Sequence, residues 1–344
     1  MGFDFRDLAA PVSVAPMAGG PSTAELAAAG TNAGGLGFVA AGYLSADAFT
    51  ERLQTAMRLA VGPIGANLFV PGPDTGNAEA IERYAADLAP DADRYGVDVG
   101  APRIDDDAWH AKLDVLLDVR PAVASFTFGL PSVEEVDRLR GAGVTVAGTV
   151  TTAAEAREAA ARGVDVLVAQ GPAAGGHRGT FDSQVRPAEQ PLDELLAEIV
   201  ATLDVPVVAA GGLMTAADIA RVRAAGAVAA QLGTAFLLAD EAGSSPVHRA
   251  ALTSPEFTET VVTKAFSGRY ARGLRNRFVD DHDAQAPLSY PQVHYLTSPL
   301  RAAAVRAGDP HGTNVWAGTG YRLAEPGPVA AIFEKLRAGA DERE

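Results

Sequence analysis

Eight short apolar runs, four to six residues each, alternate with Ala-rich amphipathic stretches through the first two-thirds of the chain. The runs are Val12–Ala15, Gly37–Ala41, Ile64–Phe69, Val123–Phe126, Thr145–Val150, Val164–Ala169, Val207–Ala210 and Ala229–Leu232. Between them, Ser22–Ala29, Ala46–Leu59, Ala78–Leu88, Ser132–Arg140, Ala153–Ala161, Leu192–Thr202 and Ala216–Ala224 carry helical spacing. A strand followed each time by a crossover helix pairs in parallel with the next strand. Eight such units predict an α/β fold, a (β/α)8 TIM barrel. Local signals agree with it. Ser22 with Glu25, Ser132 with Glu135 and Thr152 with Glu155 have capping-box spacing, and Gly30, Gly143, Gly163 and Gly226 each follow a helical run.

Two segments break the alternation. Asp91–Asp118 is acidic, contains Trp109, and reads as an elongated loop plus an extra helix. Ala239–Pro287 has no clear strand and reads as a small, mainly helical second domain inserted after the eighth strand. The barrel is therefore assigned to residues 1–238 and 288–344, and the second domain to 239–287. The tail from Leu300 ends in a helix over Pro328–Leu336 and a charged terminus.

Composition narrows the partners. A net charge of −15 disfavours nucleic acid and anionic membranes, although a local field can still attract a small anion. The absence of cysteine excludes disulfides, thiolate metal sites and cysteine nucleophiles, including an IMP-dehydrogenase type of chemistry. No apolar run is long enough to span a membrane, and the N-terminus lacks the pattern of a secretory signal. A cytoplasmic location is the expectation.

In such a barrel the reactive groups follow the C-terminal ends of the strands. Those ends supply Pro16, Met17, Gly19 and Gly20 after the first, Asn67 within the third, and Thr127, Phe128 and Gly129 after the fourth. The sixth ends at Gln170 and runs into a loop with Gly175, Gly176 and His177, the one histidine in a glycine-rich loop. Gly211 and Gly212 follow the seventh; Gln231 and Leu232 close the eighth, with Gly233 and Thr234 beyond. Glycine pairs at the last two strand ends suit a phosphate, because their backbone N–H groups bind an anionic ester without a cation. Asn67 and Gln170 carry amides that both donate and accept, as the pyrimidine edge of a flavin demands. Met17 and Phe128 are placed to cover the faces of a flat ring. The other histidines, His110, His248, His282, His294 and His311, lack metal-ligand spacing and read as surface or packing residues. Lys264, Arg269, Arg272, Arg275 and Arg277 read as a solvated face paired with the acidic surface, rather than an anion-attracting rim.

At this point the segments PVSVAPMAGG, TNAGGLGFVAAGY, GANLFVP, AQGPAAGGHRG, VVAAGGLMT, AAQLGTAFLLADE, FSGRYARGLRNRF and NVWAGTG matter together. In this order, across nearly the whole chain, they make it similar to the nitronate monooxygenases, formerly called 2-nitropropane dioxygenases. The resemblance implies an FMN-dependent TIM-barrel flavoprotein. It implies FMN contacts at Asn67, Gln170, Gly175, Gly212 and Gln231 to Thr234, with His177 as the active-site histidine. It makes 239–287 a cover over the flavin and returns the tail to the barrel through Asn314, Trp316 and Gly318. The implied substrates are alkyl nitronates such as propionate 3-nitronate, oxidised with O2 through a flavin semiquinone to a carbonyl compound and nitrite. His177 would then be a base towards neutral nitroalkanes or an electrostatic stabiliser of the nitronate. Similar proteins often carry an acidic residue where this chain has Ala173, so no carboxylate from that position orients His177.

Two other functions use the same residues. One is an NAD(P)H-dependent flavin reductase of the enoyl-acyl-carrier-protein or quinone reductase type, which shares the barrel and a GGH loop. The other is a barrel that holds FMN without catalysis. Bleaching of the flavin by NADH or NADPH without air separates the first from a nitronate monooxygenase.

Overall fold

The structure, a computed structural model, describes residues 2–338. Its first nine strands are β1 (Val12–Val14), β2 (Leu36–Ala40), β3 (Ile64–Phe69), β4 (Val123–Thr127), β5 (Thr145–Val150), β6 (Val166–Gln170), β7 (Gly176–His177), β8 (Val207–Ala210) and β9 (Ala229–Leu232). All except β7 are parallel neighbours in a closed eight-stranded barrel, as expected. The barrel closes where Val12 and Val14 of β1 register with Ala230 and Leu232 of β9. No helix among the described residues is long and apolar enough to cross a membrane.

Strand side chains alternate between two faces, and this sorts them into two layers. Outward residues such as Val39, Ala66, Phe126, Leu167 and Leu232 pack under the surrounding helices. Inward residues Phe38, Val123, Ala147, Val166 and Val208 fill the barrel interior with Phe5. Phe5 comes from a 3-10 turn, Phe5–Asp7, pinned beside the start of β5 where Thr145 Oγ1 donates to the Phe3 carbonyl. The N-terminal mouth is thus plugged with apolar groups. Farther along the strands the inward positions turn polar, with Ser13, Asn67, Ser125, Thr127, Thr149, Gln170 and Gln231.

Most caps agree with the sequence, with two corrections. Ser132 and Glu135 form a complete capping box, and Gly163 ends its helix in the left-handed conformation. Ser22 is not a cap. The helix Ala24–Asn32 is capped by Thr23, while Ser22 Oγ accepts the Met17 N–H at 2.8 Å and shapes the loop after β1. Gly30 lies inside that helix rather than ending it, and a Cβ there would come within 2.6 Å of Val14 Cγ2. Gly37 of β2 faces the same helix, and its Cβ would fall 1.7 Å from the Ala27 carbonyl oxygen. Helix and sheet backbones therefore touch directly here.

The segment after β9 contains strands that its sequence does not announce. Beside the helices Pro246–Thr253 and Arg277–His282 lie β10 (Thr260–Thr263) and β11 (Ala271–Leu274). These pair antiparallel with each other and with β7, so that Ala271 registers with His177. A long helix, Gln292–Arg306, also emerges despite Pro299 in its interior. A second apolar cluster joins Tyr84 and Leu88, before β4, to Phe266, Phe278, Leu296 and Leu300. The expected helix over 328–336 is present as Val329–Ala338.

His282 anchors this second cluster electrostatically. Its Nδ1 and Nε2 lie 2.7 Å from Asp87 Oδ2 and Asp91 Oδ2, and Asp91 also takes the Arg277 guanidinium at 2.8 Å. Two carboxylate partners require both ring nitrogens to donate, which is the imidazolium form. Burial opposes that charge, but the hydrogen bonds and fields of Asp91 and Asp87 outweigh it and raise the pKa above the ordinary 6.5. Because the folded-state pKa is raised, the stabilisation is full below pH 6.5 and is lost as pH rises through the folded value.

Two expected outcomes follow from the packing. G37A lowers stability by about 1–3 kcal/mol through overpacking, read from chemical denaturation. The stability difference between wild type and H282Q is largest at pH 6 and shrinks towards alkaline pH; an equal difference at both ends would contradict the charged pair.

Candidate active site

Beyond the polar layer, a cavity of about 640 Å³ opens over the C-terminal ends of the strands. Of the strand-end residues singled out from the sequence, Pro16, Met17, Asn67, Gln170, Gly175, His177, Gly211, Gly212, Gln231, Leu232, Gly233 and Thr234 line it, whereas Gly20 and Gly129 do not. Period-two alternation of the strands brings the side chains there, and the glycine turns bring the backbone.

The ends of β8 and β9 form a cradle. Gly211 and Gly212 have φ of 106° and 75°, a conformation that favours glycine. A Cβ on Gly212 would meet Ala173 Cβ at 2.7 Å. Among the described residues, the N–H groups of Gly211, Gly212, Gly233 and Thr234 have no protein acceptor. Thr234 Oγ1 accepts the Gly318 N–H at 2.9 Å, which leaves its own proton to donate. Unsatisfied donors at two adjacent turns match the chemistry of a phosphate. The tail completes the wall: the Thr319 N–H bonds to the Ala173 carbonyl, and Gly175 sits so close to Ala317 and Gly318 that a Cβ would lie 2.4 Å from Gly318 N.

The amides behave differently from one another. Asn67 Nδ2 is occupied by Ser125 and Thr127, with its shortest contact 2.9 Å to Ser125 Oγ, and its Oδ1 is free to accept. Gln170 instead holds the histidine loop. Its Nε2 donates to the His177 carbonyl at 3.1 Å, and its Oε1 accepts the Gly179 N–H at 2.8 Å. Gln231 is tethered by a long 3.4 Å contact from Ser13 Oγ, leaving its Nε2 free.

His177 is oriented from β11's side of the molecule, not from the loop position of Ala173. Its Nε2 lies 2.9 Å from Ser267 Oγ. That hydroxyl donates its proton to the Arg269 carbonyl and accepts the Arg269 N–H, so its remaining lone pair takes a proton from Nε2. Nδ1 is then unprotonated. Burial lowers the pKa to about 3, reinforced by the positive charges of Arg269 and Arg301. His177 is therefore neutral at physiological pH, with a lone pair available.

Several residues here carry no simple sequence signal. Arg269 does not belong to a solvated face: it is 4% exposed, stacks 3.9 Å over the Phe128 ring, and donates to the Thr180 carbonyl. Arg275, by contrast, is exposed and paired with Glu259 and Asp280. His248 and His294 both line the cavity, so neither is a surface residue. His294 stacks on Tyr43 at 4.2 Å, and burial holds its pKa down to about 2. Tyr43 and Phe128 have φ of 67° and 80°, strained for bulky side chains. Tyr43 is held by Asp107, whose Oδ1 accepts its N–H at 2.9 Å and whose Oδ2 lies 2.7 Å from the buried Lys112 ammonium. Trp316 lines the cavity against His177, with ring centroids 5.6 Å apart.

By fold and site this is a (β/α)8 barrel with a large cavity at the end where such barrels place their active sites. The family described as nitronate monooxygenase matches residues 4–339. A protein named probable nitronate monooxygenase from Staphylococcus haemolyticus (strain JCSC1435) is 36% identical over 333 residues, 95% of this chain and 92% of that one. A Staphylococcus aureus (strain N315) protein of the same name is 34% identical, covering 95% of this chain and 93% of its own. The solved structure of nitroalkane oxidase from Streptomyces ansochromogenes superposes with a TM-score of 0.93 at 47% identity, over 97% of this chain and 96% of that one. FabK from Thermotoga maritima shares the fold, with a TM-score of 0.75, 24% identity and coverage of 97% and 94%. The chain belongs to the nitronate monooxygenase family, which makes it a flavin-dependent oxidoreductase.

Nitrogen-15 NMR of imidazole-labelled protein is expected to show His177 neutral and protonated on Nε2 from pH 5 to 8. S267A should give mixed tautomers. Titration of wild-type His177 near pH 6.5 would refute the arrangement.

Proposed function

We propose that this protein binds FMN and oxidises alkyl nitronates with O2 to carbonyl compounds and nitrite. The observation that carries the reading is one cavity with two complementary ends. At one end, free N–H groups of Gly211, Gly212, Gly233 and Thr234 suit the FMN phosphate. At the other, a neutral His177 lies in the field of the Arg269 and Arg301 guanidinium groups, whose hydrogen bonds go to neutral acceptors. Asn67 Oδ1 and Gln231 Nε2 offer an acceptor and a donor to the ring edge, and Met17 offers an apolar face, while the Phe128 ring is already covered by Arg269 and packed against Phe69. Bound there, FMN would supply the electron acceptor and the route to O2.

The chain's own residues bind and position the substrate. The field of Arg269 and Arg301 favours an anion despite the net charge of −15. His177 Nδ1 takes the α-proton when the substrate arrives as a neutral nitroalkane, and the Ser267 bond keeps that nitrogen bare. A nitronate needs no such base, so the two substrate forms make different demands on His177. Segment 239–287 acts as the cover, since it supplies Ser267 and Arg269.

H177N should lower kcat/KM for neutral nitroethane by about 10²–10⁴-fold and affect ethyl nitronate far less. Near-normal turnover of both would remove the assignment. The function itself is tested by mixing the FMN-loaded protein with ethyl nitronate without air, then admitting air. A change in flavin absorbance followed by nitrite supports the reading. An unchanged flavin that NADH or NADPH then bleaches would point to a reductase, and no response to either would leave a binding barrel.

A further inference from the structure

We propose that the protein carries a second binding site, separate from the barrel cavity, in which Arg178 holds a small phosphate or phosphate monoester. The inference does not rest on the nitronate reading. β10, β11 and β7 form one three-stranded sheet, and side chains alternate between its two faces. His177 and Ala271, which register with each other, turn one way. Arg178 follows His177, and its N–H donates to the Tyr270 carbonyl at 2.9 Å, so it turns the other way together with Tyr270 and Arg272. Val262 registers with Arg272, and Lys264, two residues on, joins the same face. Against this face lies a cavity of about 250 Å³, bordered by Arg178, Arg186, Glu189, Lys264, Tyr270 and Asp283. It shares no lining residue with the chamber over the barrel.

Arg178 is the exceptional member of this group. It is 2% exposed, yet its Nε has no hydrogen-bond partner among the described residues. Of the five N–H groups a guanidinium carries, one finds a protein acceptor among the described residues, through a long 3.4 Å contact from Nη2 to the Ala188 carbonyl. Burial lowers its pKa to about 10, helped by the charge of Arg272, so it remains a cation. The carboxylates at the rim are engaged elsewhere. Glu189 lies 3.9 Å from Arg186, and Asp283 Oδ1 accepts the Thr263 hydroxyl at 2.6 Å and the Lys264 N–H at 2.7 Å. Lys264 Nζ donates to the Asp283 main-chain carbonyl, and Arg272 donates to the Pro172 carbonyl at 3.0 Å and to Thr260 Oγ1 at 3.2 Å. Both belong to the basic stretch expected to pair with the acidic surface, and both meet neutral acceptors instead.

Charge and size set the class of ligand. Arg178, Arg186, Lys264 and Arg272 place four positive charges against the two negative ones of Glu189 and Asp283, in a chain whose net charge is −15. The local excess of two matches a dianion. The volume falls below the roughly 300–1,000 Å³ of sites for drug-sized ligands, so the cavity suits a phosphate or a short ester of it rather than a nucleotide. The free edge of the guanidinium offers parallel N–H groups to two phosphate oxygens. A buried cation without a partner is costly, and a bound oxyanion offsets that cost.

The test titrates orthophosphate and glycerol 3-phosphate, at constant ionic strength, into the full chain saturated with FMN so that the glycine cradle at β8 and β9 is filled. Calorimetry and thermal denaturation compare wild type, R178M and K264M, and flavin absorbance with circular dichroism reports which variants are folded. Wild type should bind one equivalent and melt at a higher temperature with the ligand present. R178M should weaken binding about 10–100-fold and lose the shift in melting temperature. K264M should weaken binding severalfold, and it decides the matter if R178M does not fold. Tighter binding of the ester assigns the site to a phosphate monoester and tighter binding of orthophosphate assigns it to the free ion; either supports the proposal. No binding to wild type, or binding of equal strength in every variant that folds, would overturn it.

Discussion

The rest of the molecule depends on the strict alternation of side chains along eight parallel strands. Each strand sends one set of residues under the helices and the other into the barrel. All strands run the same way, so any polarity gradient along one is added to the gradients of the others. Here the inward positions pass from Phe38, Val123 and Val166 to Asn67, Thr127, Gln170 and Gln231. The apolar end is plugged by Phe5, and the polar end becomes a chamber. Close contact between Gly37 and the Ala27 carbonyl shows how tightly the outer layer fixes strand positions, and with them the mouth of the chamber.

Electrostatically, the chamber opposes the molecule that contains it. The chain is strongly acidic, and most exposed arginines are paired with carboxylates, as Arg275 is with Glu259 and Asp280. Arg269 and Arg301 are withdrawn from that surface and given only neutral partners. Their fields and the dry surroundings keep His177 neutral. The same histidine is held in one tautomer by Ser267, whose hydroxyl is saturated by Arg269 on its other sides. The site is thus a barrel floor with a roof of separate origin, and His177 is attached to both, its carbonyl through Gln170 and its imidazole through Ser267.

Much of the floor was legible in the sequence. Six-residue runs such as Ile64–Phe69 and Thr145–Val150 coincide with β3 and β5, because β-branched and small apolar residues bounded by glycine and proline favour a buried strand. The glycines after β8 were legible because positive φ and close approach demand that residue type. The roof was not. β10, β11 and β7 are only two to four residues long and gain stability from one another, so none stands out as a strand alone. The helix Gln292–Arg306 carries Pro299, which local propensity penalises, and packing of Leu296 and Leu300 against Tyr84 and Leu88 overrides that penalty.

The sequence by itself determined the barrel, the polar ends of its strands, the glycine turns and the presence of a histidine among them. Those follow from periodicity and backbone sterics, which act within a few residues. Tertiary structure alone decided which cations lose their carboxylates, which hydroxyl orients His177, and that His294 and Arg301 face the same chamber. These features join residues ninety or more positions apart or depend on burial, and charge and burial are properties of the assembled volume rather than of any segment.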